Sequence, residues 1–454
     1  VSGLFGIYEL SRLGLLAQQA AMHTTGHNIA NAATPGYHRQ RVQLATLNPQ
    51  LTPFGALGSG VGIESVQRIE SRFIEAALQR EMPSFGRYSA RATALAEAEL
   101  AFSEPSEFGL TSLLDDFYDT WDDLATNPED PGPRESVVRV GLSLAEAIRN
   151  THERLIEEQR SITTEIEQTV EDANSIVREL AVLNQNILAM TRNGQAAGDL
   201  EDRRDLLVET LAELIGANGQ IEENGTATVR IGGRIVVQLS TADEIQFDRA
   251  TATMPSLGGR PFTPTESDGR LGGLLEARDV DLANALERLD AFAVRLVEEV
   301  NSLHAGGVDA YGDEAGAVFE LPGIALDGVT GAAAAIRVTA DLQRDSNRVA
   351  AGRTSSPGDN SLALDIAALR NSSEGAAGLL NGLVVDLGAR AGEAEDLAKG
   401  QQVIVDNFNA QRESISGVSL DEEAASLLMF QRSYQAAAQL LAIADEMAAT
   451  ILSI

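Results

Sequence analysis

Apolar residues recur at every seventh position from the start of the chain, where Val1, Tyr8, Leu15, Met22 and Ile29 wind one row along a helix. The segment "HNIANAATPGYHRQRV" predicts its end. Pro35 lacks the N–H that a helix needs, disfavours the helical region for Thr34, and precedes Gly36, which accepts the positive φ of a type II turn. The alternating stretch Arg41-Val42-Gln43-Leu44 then predicts a strand. "RQRVQLATLNPQ" and "GSGVGIESVQRIES" flank a turn rich in Pro and Gly, so an extended two-stranded connector is expected between the first helix and the rest.

The longest uninterrupted pattern lies between Gly141 and Gly194. Ile148, Leu155, Ile162, Ile176, Leu183 and Met190 form one heptad row, and Ile166, Ala173, Leu180 and Ile187 the companion row. About fifty helical residues at ~1.5 Å rise give a rod of roughly 75 Å, which must lie against other helices. A candidate partner runs from Leu379 to Phe408, with Leu380, Leu387, Ala394 and Phe408 in one row and Leu383, Leu397 and Ile404 in the other. Shorter helices surround these. "TSLLDDFYDTWDDLATNP" sets Leu113, Phe117, Trp121 and Leu124 on one face and Asp115, Asp116, Asp119, Asp122 and Asp123 around the other. "DLEDRRDLLVETLAELI" is amphipathic, as is the stretch carrying Leu286, Leu289, Leu296, Val300 and Leu303.

Strand signals interrupt the helices twice. Val229 and Ile231 precede Gly232-Gly233 and Ile235-Val236-Val237, which predicts a β-hairpin. The stretch from Gly306 to Gly358 mixes Gly, Asp and Pro with short apolar runs and predicts a small β-rich lobe or ordered loops. The chain closes on "SLDEEAASLLMFQRSYQAAAQLLAIADEMAATILSI", with Leu420, Leu427, Tyr434, Leu441 and Ala448 in one row and Phe430, Ala437, Ala444 and Ile451 in the other. Ser419 stands at its N-cap and Glu422 in capping-box position. The fold class expected is mainly α, with long coiled-coil-like helices and small β-rich insertions.

Composition narrows the function. At 454 residues there is material for two to four domains, yet aromatics are only 4%, which suits packed helices better than aromatic-lined pockets. A net charge of −33 with no basic stripe argues against nucleic acid and anionic membrane surfaces. No apolar run reaches 18 residues, so no membrane insertion is expected, and the first twenty residues lack the features of a cleaved secretory signal. The absence of cysteine excludes disulfides, thiolate nucleophiles and Cys-based zinc sites.

Candidate chemistry is sparse. His23 and His27 have the four-residue spacing of a shared metal but no Glu between them and no third ligand nearby. The Asp cluster of residues 115–123 lacks the Gly turn and terminal Glu of a calcium loop and suits a solvated helix face. "GALGSGVG" lacks the spacing of a phosphate cradle. No catalytic constellation, metal site or cofactor is expected.

"NIANAATPGYHRQRV" is similar to the N-terminal signature of the axial proteins of the bacterial flagellum, and "SGVSLDEEAASLLMFQRSYQAAAQLLAIADEM" to their C-terminal signature. "LATNPEDPGPRESVVRVGLSLAEAI", "GDLEDRRDLLVETLAELIG" and the stretch from Leu271 to Phe319 resemble the hook-filament junction members, the first of the hook-associated proteins. The resemblance spans most of the chain. It implies a structural, non-enzymatic subunit exported through the flagellar type III apparatus, forming a helical polymer outside the cell with its terminal helices paired at the inner radius. It also implies hook protein, the second junction protein and, at the C-terminal helix, an export chaperone as partners. A hook or distal-rod axial protein is the alternative.

On this resemblance, residues 1–40 and 413–454 are the two halves of an inner helical domain, joined to the rest by an extended connector at 41–70. The helical middle domain comprises 71–217, the helix 273–305 and 361–412. A β-rich segment is expected at 218–272 and a small β-rich outer insertion at 306–360, where the part between Leu321 and Asn360 is short for a full outer domain. The expected assembly interface is Tyr8, Leu15, Met22, Ile29, Leu420, Leu427, Phe430, Tyr434, Leu441 and Ile451, and the turn motif is Asn28, Asn31, Thr34, Pro35, Gly36 and Tyr37. The terminal helices are expected to be mobile in an isolated subunit and ordered on assembly.

Overall fold

The computed structural model describes residues 2–52, 55–102, 109–250, 255–261, 269–323 and 330–452. Helix α1 (Ser2–Asn31) leads through the Pro35 turn into a ribbon of strands β1 (Gln40–Thr46) and β4 (Val61–Arg68), paired antiparallel. The far end of the ribbon carries the short pair β2 (Gln50–Thr52) and β3 (Gly55–Leu57). Three helices follow: α2 (Arg72–Leu100), α3 (Leu110–Thr126) and α4 (Pro131–Arg192). At 62 residues, α4 starts ten residues before Gly141, where the uninterrupted sequence pattern begins. Asp130 accepts the Gly132 N–H at its N-terminus and Pro131 occupies the first helical position, so Gly132 and Gly141 are carried inside.

Helix α5 (Gly198–Ile215) ends on Gly216 in the left-handed conformation. Strands β5 (Asn218–Ile221), β6 (Ala227–Ile231), β7 (Arg234–Gln238) and β8 (Thr241–Ala242) then make an antiparallel sheet in sequential order. The expected hairpin is β6–β7, with Gly232 at φ +53° and Gly233 at φ +80°, the positive pair a two-residue turn requires. A small sheet of β9 (Ile245–Gln246), β10 (Ser256–Leu257) and β11 (Arg260–Pro261) follows.

Helices α6 (Gly269–Glu276) and α7 (Leu282–His304) are joined by a π turn, Ala277–Asp281, which places buried Asp281 to accept Arg91 Nε at 2.8 Å and Arg390 Nη1 at 3.2 Å. Segment 306–360, among its described residues, follows the ordered-loop alternative and not the β-rich lobe. It carries one two-residue pair, β12 (Phe319–Glu320) with β13 (Arg337–Val338), and the short helices α8 (Ala332–Ala335) and α9 (Ala340–Arg344). Its apolar side chains, including Val318, Phe319, Ile336 and Val349, enter the same core as α3, α4 and α7. The Asn301 side chain on α7 pins it there, accepting from the Val318 and Phe319 N–H groups and donating to the Phe319 carbonyl.

The chain ends with α10 (Ser361–Ala368), α11 (Ala376–Ser416) and α12 (Leu420–Leu452). The fold is mainly α, with long helices and small sheets. Its central core gathers Phe117, Tyr118, Trp121, Phe292 and Phe319 with the two α4 rows. The partner of α11 is a correction to the sequence pattern: α11 packs chiefly along α2 and α7 rather than along α4. Leu380, Leu383 and Leu387 are buried, while Leu397 and Ile404 face outward, because past Ala394 the helix meets α2 through Gln401 and Val405 instead. Backbones touch where α2 crosses α5 and α6. A Cβ on Gly86 would lie 2.1 Å from the Glu213 carbonyl, and one on Gly273 would lie 2.2 Å from that of Arg87.

A candidate assembly site where the chain ends meet

The turn has the geometry its residues dictate. The Tyr37 N–H donates to the Thr34 carbonyl at 3.2 Å, Pro35 takes the second position, and Gly36 stands at φ +74° in the third. A Cβ on Gly36 would sit 3.2 Å from Leu206 Cβ on α5, so the site restricts both conformation and size. Asn31 closes the helix before it, donating to the His27 carbonyl at 3.0 Å and accepting the Thr34 hydroxyl at 3.3 Å.

Asn28 is the centre of the arrangement and is 1% exposed. Its Nδ2 donates to the Gln40 carbonyl at 2.9 Å and to Glu423 Oε2 at 3.0 Å, and its Oδ1 accepts the Gln40 N–H at 3.0 Å and the Tyr37 hydroxyl at 2.7 Å. A planar amide offers two donors and two acceptor positions, and all four are used. One side chain therefore ties α1 to the turn, to β1 and to α12.

The other Glu423 oxygen accepts Arg39 Nε at 2.7 Å, and Arg39 Nη1 donates to Glu422 at 2.9 Å. The capping box expected at Ser419 is thus only half formed. The Ser419 hydroxyl accepts the Glu422 N–H at 3.5 Å, but the Glu422 carboxylate is held by Arg39. The Arg39 N–H also donates to the Ser416 carbonyl at 2.9 Å, fastening the chain beside the end of α11.

Next to this lies a buried charged joint. Asp202 on α5 accepts His38 Nδ1 at 2.8 Å, the His38 N–H at 3.1 Å and Arg68 Nη1 at 2.7 Å. His38 Nε2 faces Glu75 on α2 at 3.3 Å, and Arg412 on α11 donates to Glu209 at 2.6 Å. Burial pulls the His38 pKa down, but the hydrogen bonds to Asp202 and Glu75 and the Asp202 charge outweigh it, with Arg68 opposing, and it is raised to about 9. A raised pKa means that folding favours the protonated imidazole. Its contribution is full below the ordinary value near 6.5 and is lost as pH climbs through 9. At about 1.4 kcal/mol per pH unit the loss is about 3 kcal/mol. An NMR titration should therefore place the His38 midpoint near 9, with stability falling between pH 6.5 and 9.5 in the native chain but not in His38→Gln. A midpoint near 6.5 would refute the joint's electrostatics.

Asn28 opposite Glu423 and Gly14 opposite Ala437 set α1 and α12 antiparallel. The seam between them is made of small side chains. Ser11, Ala17, Ala21, Thr24, Asn28 and Ala444 are buried, and Gly14 has space only for contact with Ala437 Cβ at 3.6 Å. Leu15, Met22, Ile29, Leu427, Phe430, Tyr434 and Leu441 flank this seam half-buried, while Tyr8 and Leu420 are exposed. Val1 and the side chain of Ile451 lie outside the described residues. The outward faces carry large apolar groups, among them Phe5 at 68%, Leu428 at 57% and Ile443 at 50% exposure, with Leu16, Met429 and Leu440.

Of the turn motif, Asn28, Asn31, Thr34 and Tyr37 join one hydrogen-bonded unit, Gly36 turns the chain within it against Leu206, and Pro35 is its exposed corner. Sequence reasoning passed over His38, Arg39, Arg68, Asp202 and Glu423. The only signal was charge density where an amphipathic helix begins, in "DLEDRRD" and "LDEE". His23 is exposed and His27 faces Asp199 at 3.0 Å. The α3 Asp side chains are exposed, with Arg370 bridging Asp119 and Asp122. Among the described residues no group of three or more His, Asp or Glu is disposed to hold a metal. The site is built to join chain segments, with its polar groups turned toward one another.

Residues 95–319 match the family model described as the flagellar hook-associated protein FlgK helical domain, and residues 410–454 match the flagellar basal body rod FlgEFG protein C-terminal model. The chain is similar to flagellar hook-associated protein 1 of Bacillus subtilis (strain 168), with 30% identity over 97% of this chain and 96% of that one. Its similarity to flagellar hook-associated protein 1 of Escherichia coli (strain K12) is 26% identity over 95% and 96%. In fold it is similar to the flagellar hook junction protein FlgK from Burkholderia pseudomallei, with a TM-score of 0.63 and 15% identity, covering 76% of this chain and 100% of that one. The chain belongs to the flagellar hook-associated protein 1 family.

Proposed function

We propose that this chain is a structural subunit, without catalytic activity, that polymerises at the junction between flagellar hook and filament through its paired terminal helices. The observation that carries the reading is the two-faced helix pair. Its seam is small-residued and closed by Asn28, while Phe5, Leu16, Leu428, Met429, Leu440 and Ile443 point away from it. Burying such a side chain contributes about 1.5 to 3 kcal/mol, and neighbouring subunits are the partners that can supply that burial. Copies of the same chain, hook protein and the second junction protein are the proposed neighbours. The exposed α12 face is the proposed docking surface for an export chaperone before the chain leaves through the type III apparatus. Among the described residues no helix is long and apolar enough to cross a membrane.

In a strain lacking its own junction protein, the native chain should restore filament attachment. The double variant Leu428→Asp, Ile443→Asp places charges on the outward face, where folding does not need those side chains. It should keep the helix content and thermal transition of the native chain, yet leave hooks without filaments. Filaments attached at native frequency by this variant would reject the helix-pair reading.

A further inference from the structure

The connector ribbon has more apolar surface than a simple link requires. Leu51 is 90% exposed, and Leu44, Leu47, Leu57 and Ile63 are exposed as well. Leu44 and Ile63 are cross-strand partners, so their side chains form one outward patch. β1 and β4 pair only with each other among the described residues, so no third strand covers the outer edge of either, and Asn28 takes only the Gln40 backbone groups at the base of the ribbon. A two-stranded ribbon of this kind is marginal in water unless something packs on it. Its inner face has α1. A Cβ on Gly60 would lie 3.7 Å from Leu10 Cα and from Leu13 Cδ1, and β1 and β4 both pack on that helix. On its outer face Leu44 and Ile63 stay exposed among the described residues.

Charge says what covers it. Charged residues are 22% of the chain, but none occurs from Val42 to Ile63. Two copies each carrying −33 repel, and close approach is least opposed where neither presents charge. The ribbon is such a surface, and through Gly60 it is continuous with the N-terminal half of α1, whose Glu9 and Arg12 pair with each other. Resting on the polymer reading above, we propose that the exposed apolar tip of the ribbon, where Leu51 and Leu57 project from its two faces, is a second self-association surface covered by another copy of this chain. The connector then contributes its own subunit contact, separate from that of the paired helices.

The chain has no cysteine, so single thiols can be introduced without interference. Full-length Leu51→Cys is produced together with a differently tagged, unmodified copy, and the intact flagella are isolated. The L51C thiol should react with a maleimide at least tenfold more slowly in the assembly than in the free chain. A benzophenone attached at that thiol should capture the differently tagged copy on illumination. Leu428→Cys serves as the independent report on the helix face. An L51C thiol equally reactive in both states, with L428C protected, would overturn the ribbon contact while leaving the polymer reading intact. Capture of a different protein alone would overturn the choice of a second copy. If neither thiol is protected, the polymer reading fails and the ribbon contact fails with it.

Discussion

Asn28→Ala should release both ends of the chain from the middle helices while the middle domain stays folded. The change leaves the Tyr37 hydroxyl, both Gln40 backbone groups and one Glu423 oxygen without the partner that now serves all of them. Each buried polar group stranded in this way costs about 1 to 3 kcal/mol, so a total of about 3 to 5 kcal/mol is expected at the joint. Amide exchange in α1 and α12 should accelerate by roughly a hundredfold or more, the counterpart of ~3 kcal/mol, with rates in α4 and α7 unchanged. Asn28→Asp should be no better. It keeps the shape but loses both N–H donors and sets a second carboxylate against Glu423. Native exchange rates in both variants would mean that the four hydrogen bonds do not hold the ends in place.

The second large effect falls at the opposite end of the molecule. Trp121 is fully buried, edge-on to Phe117 at 6.2 Å and to His304 at 5.9 Å between ring centroids. Trp121→Ala should cost about 3 to 5 kcal/mol and lower the thermal midpoint of the middle domain by several degrees. Trp121→Phe should cost far less. It keeps an aromatic ring in the cluster and removes an indole N–H that has no hydrogen-bond partner among the described residues. Equal losses in the two variants would show that the site collapses around the cavity and that packing is not what Trp121 supplies.

Much of the helical scaffold could be read from spacing alone. The heptad rows of α4 are buried apart from the half-buried Ile176 and Met190, because a helix this long must turn one stripe toward the core. The Pro35 turn and the Gly232-Gly233 hairpin were equally legible, since Pro and Gly act on their own backbone and need no knowledge of neighbours. Pairing of distant elements was not legible. Periodicity shows that α11 has an apolar stripe but not whose stripe meets it, so α2 and α7 emerged only in three dimensions.

The joint at the chain ends was half legible for the same reason. Asn28, Asn31 and Tyr37 belong to one short motif, whereas the partners Asp202 and Glu423 lie 164 residues from His38 and 395 from Asn28. The terminal rows showed the seam in part, with Ala437 and Ala444 of one α12 row lying in it. Large residues every seventh position mark a sticky face, but the helices meet on the neighbouring row of Gly14, Ala21 and Asn28, because small side chains let two backbones come closer.

That slender seam has a mechanical consequence. Parting α1 from α12 uncovers the small groups of the seam and only the inner edges of the half-buried Leu15, Met22, Ile29, Phe430 and Leu441, whereas parting neighbouring copies in the proposed tube would uncover the outward Phe5, Leu428 and Met429 whole. In the proposed tube each stave is therefore easily split along its own grain, yet firmly glued to the staves beside it.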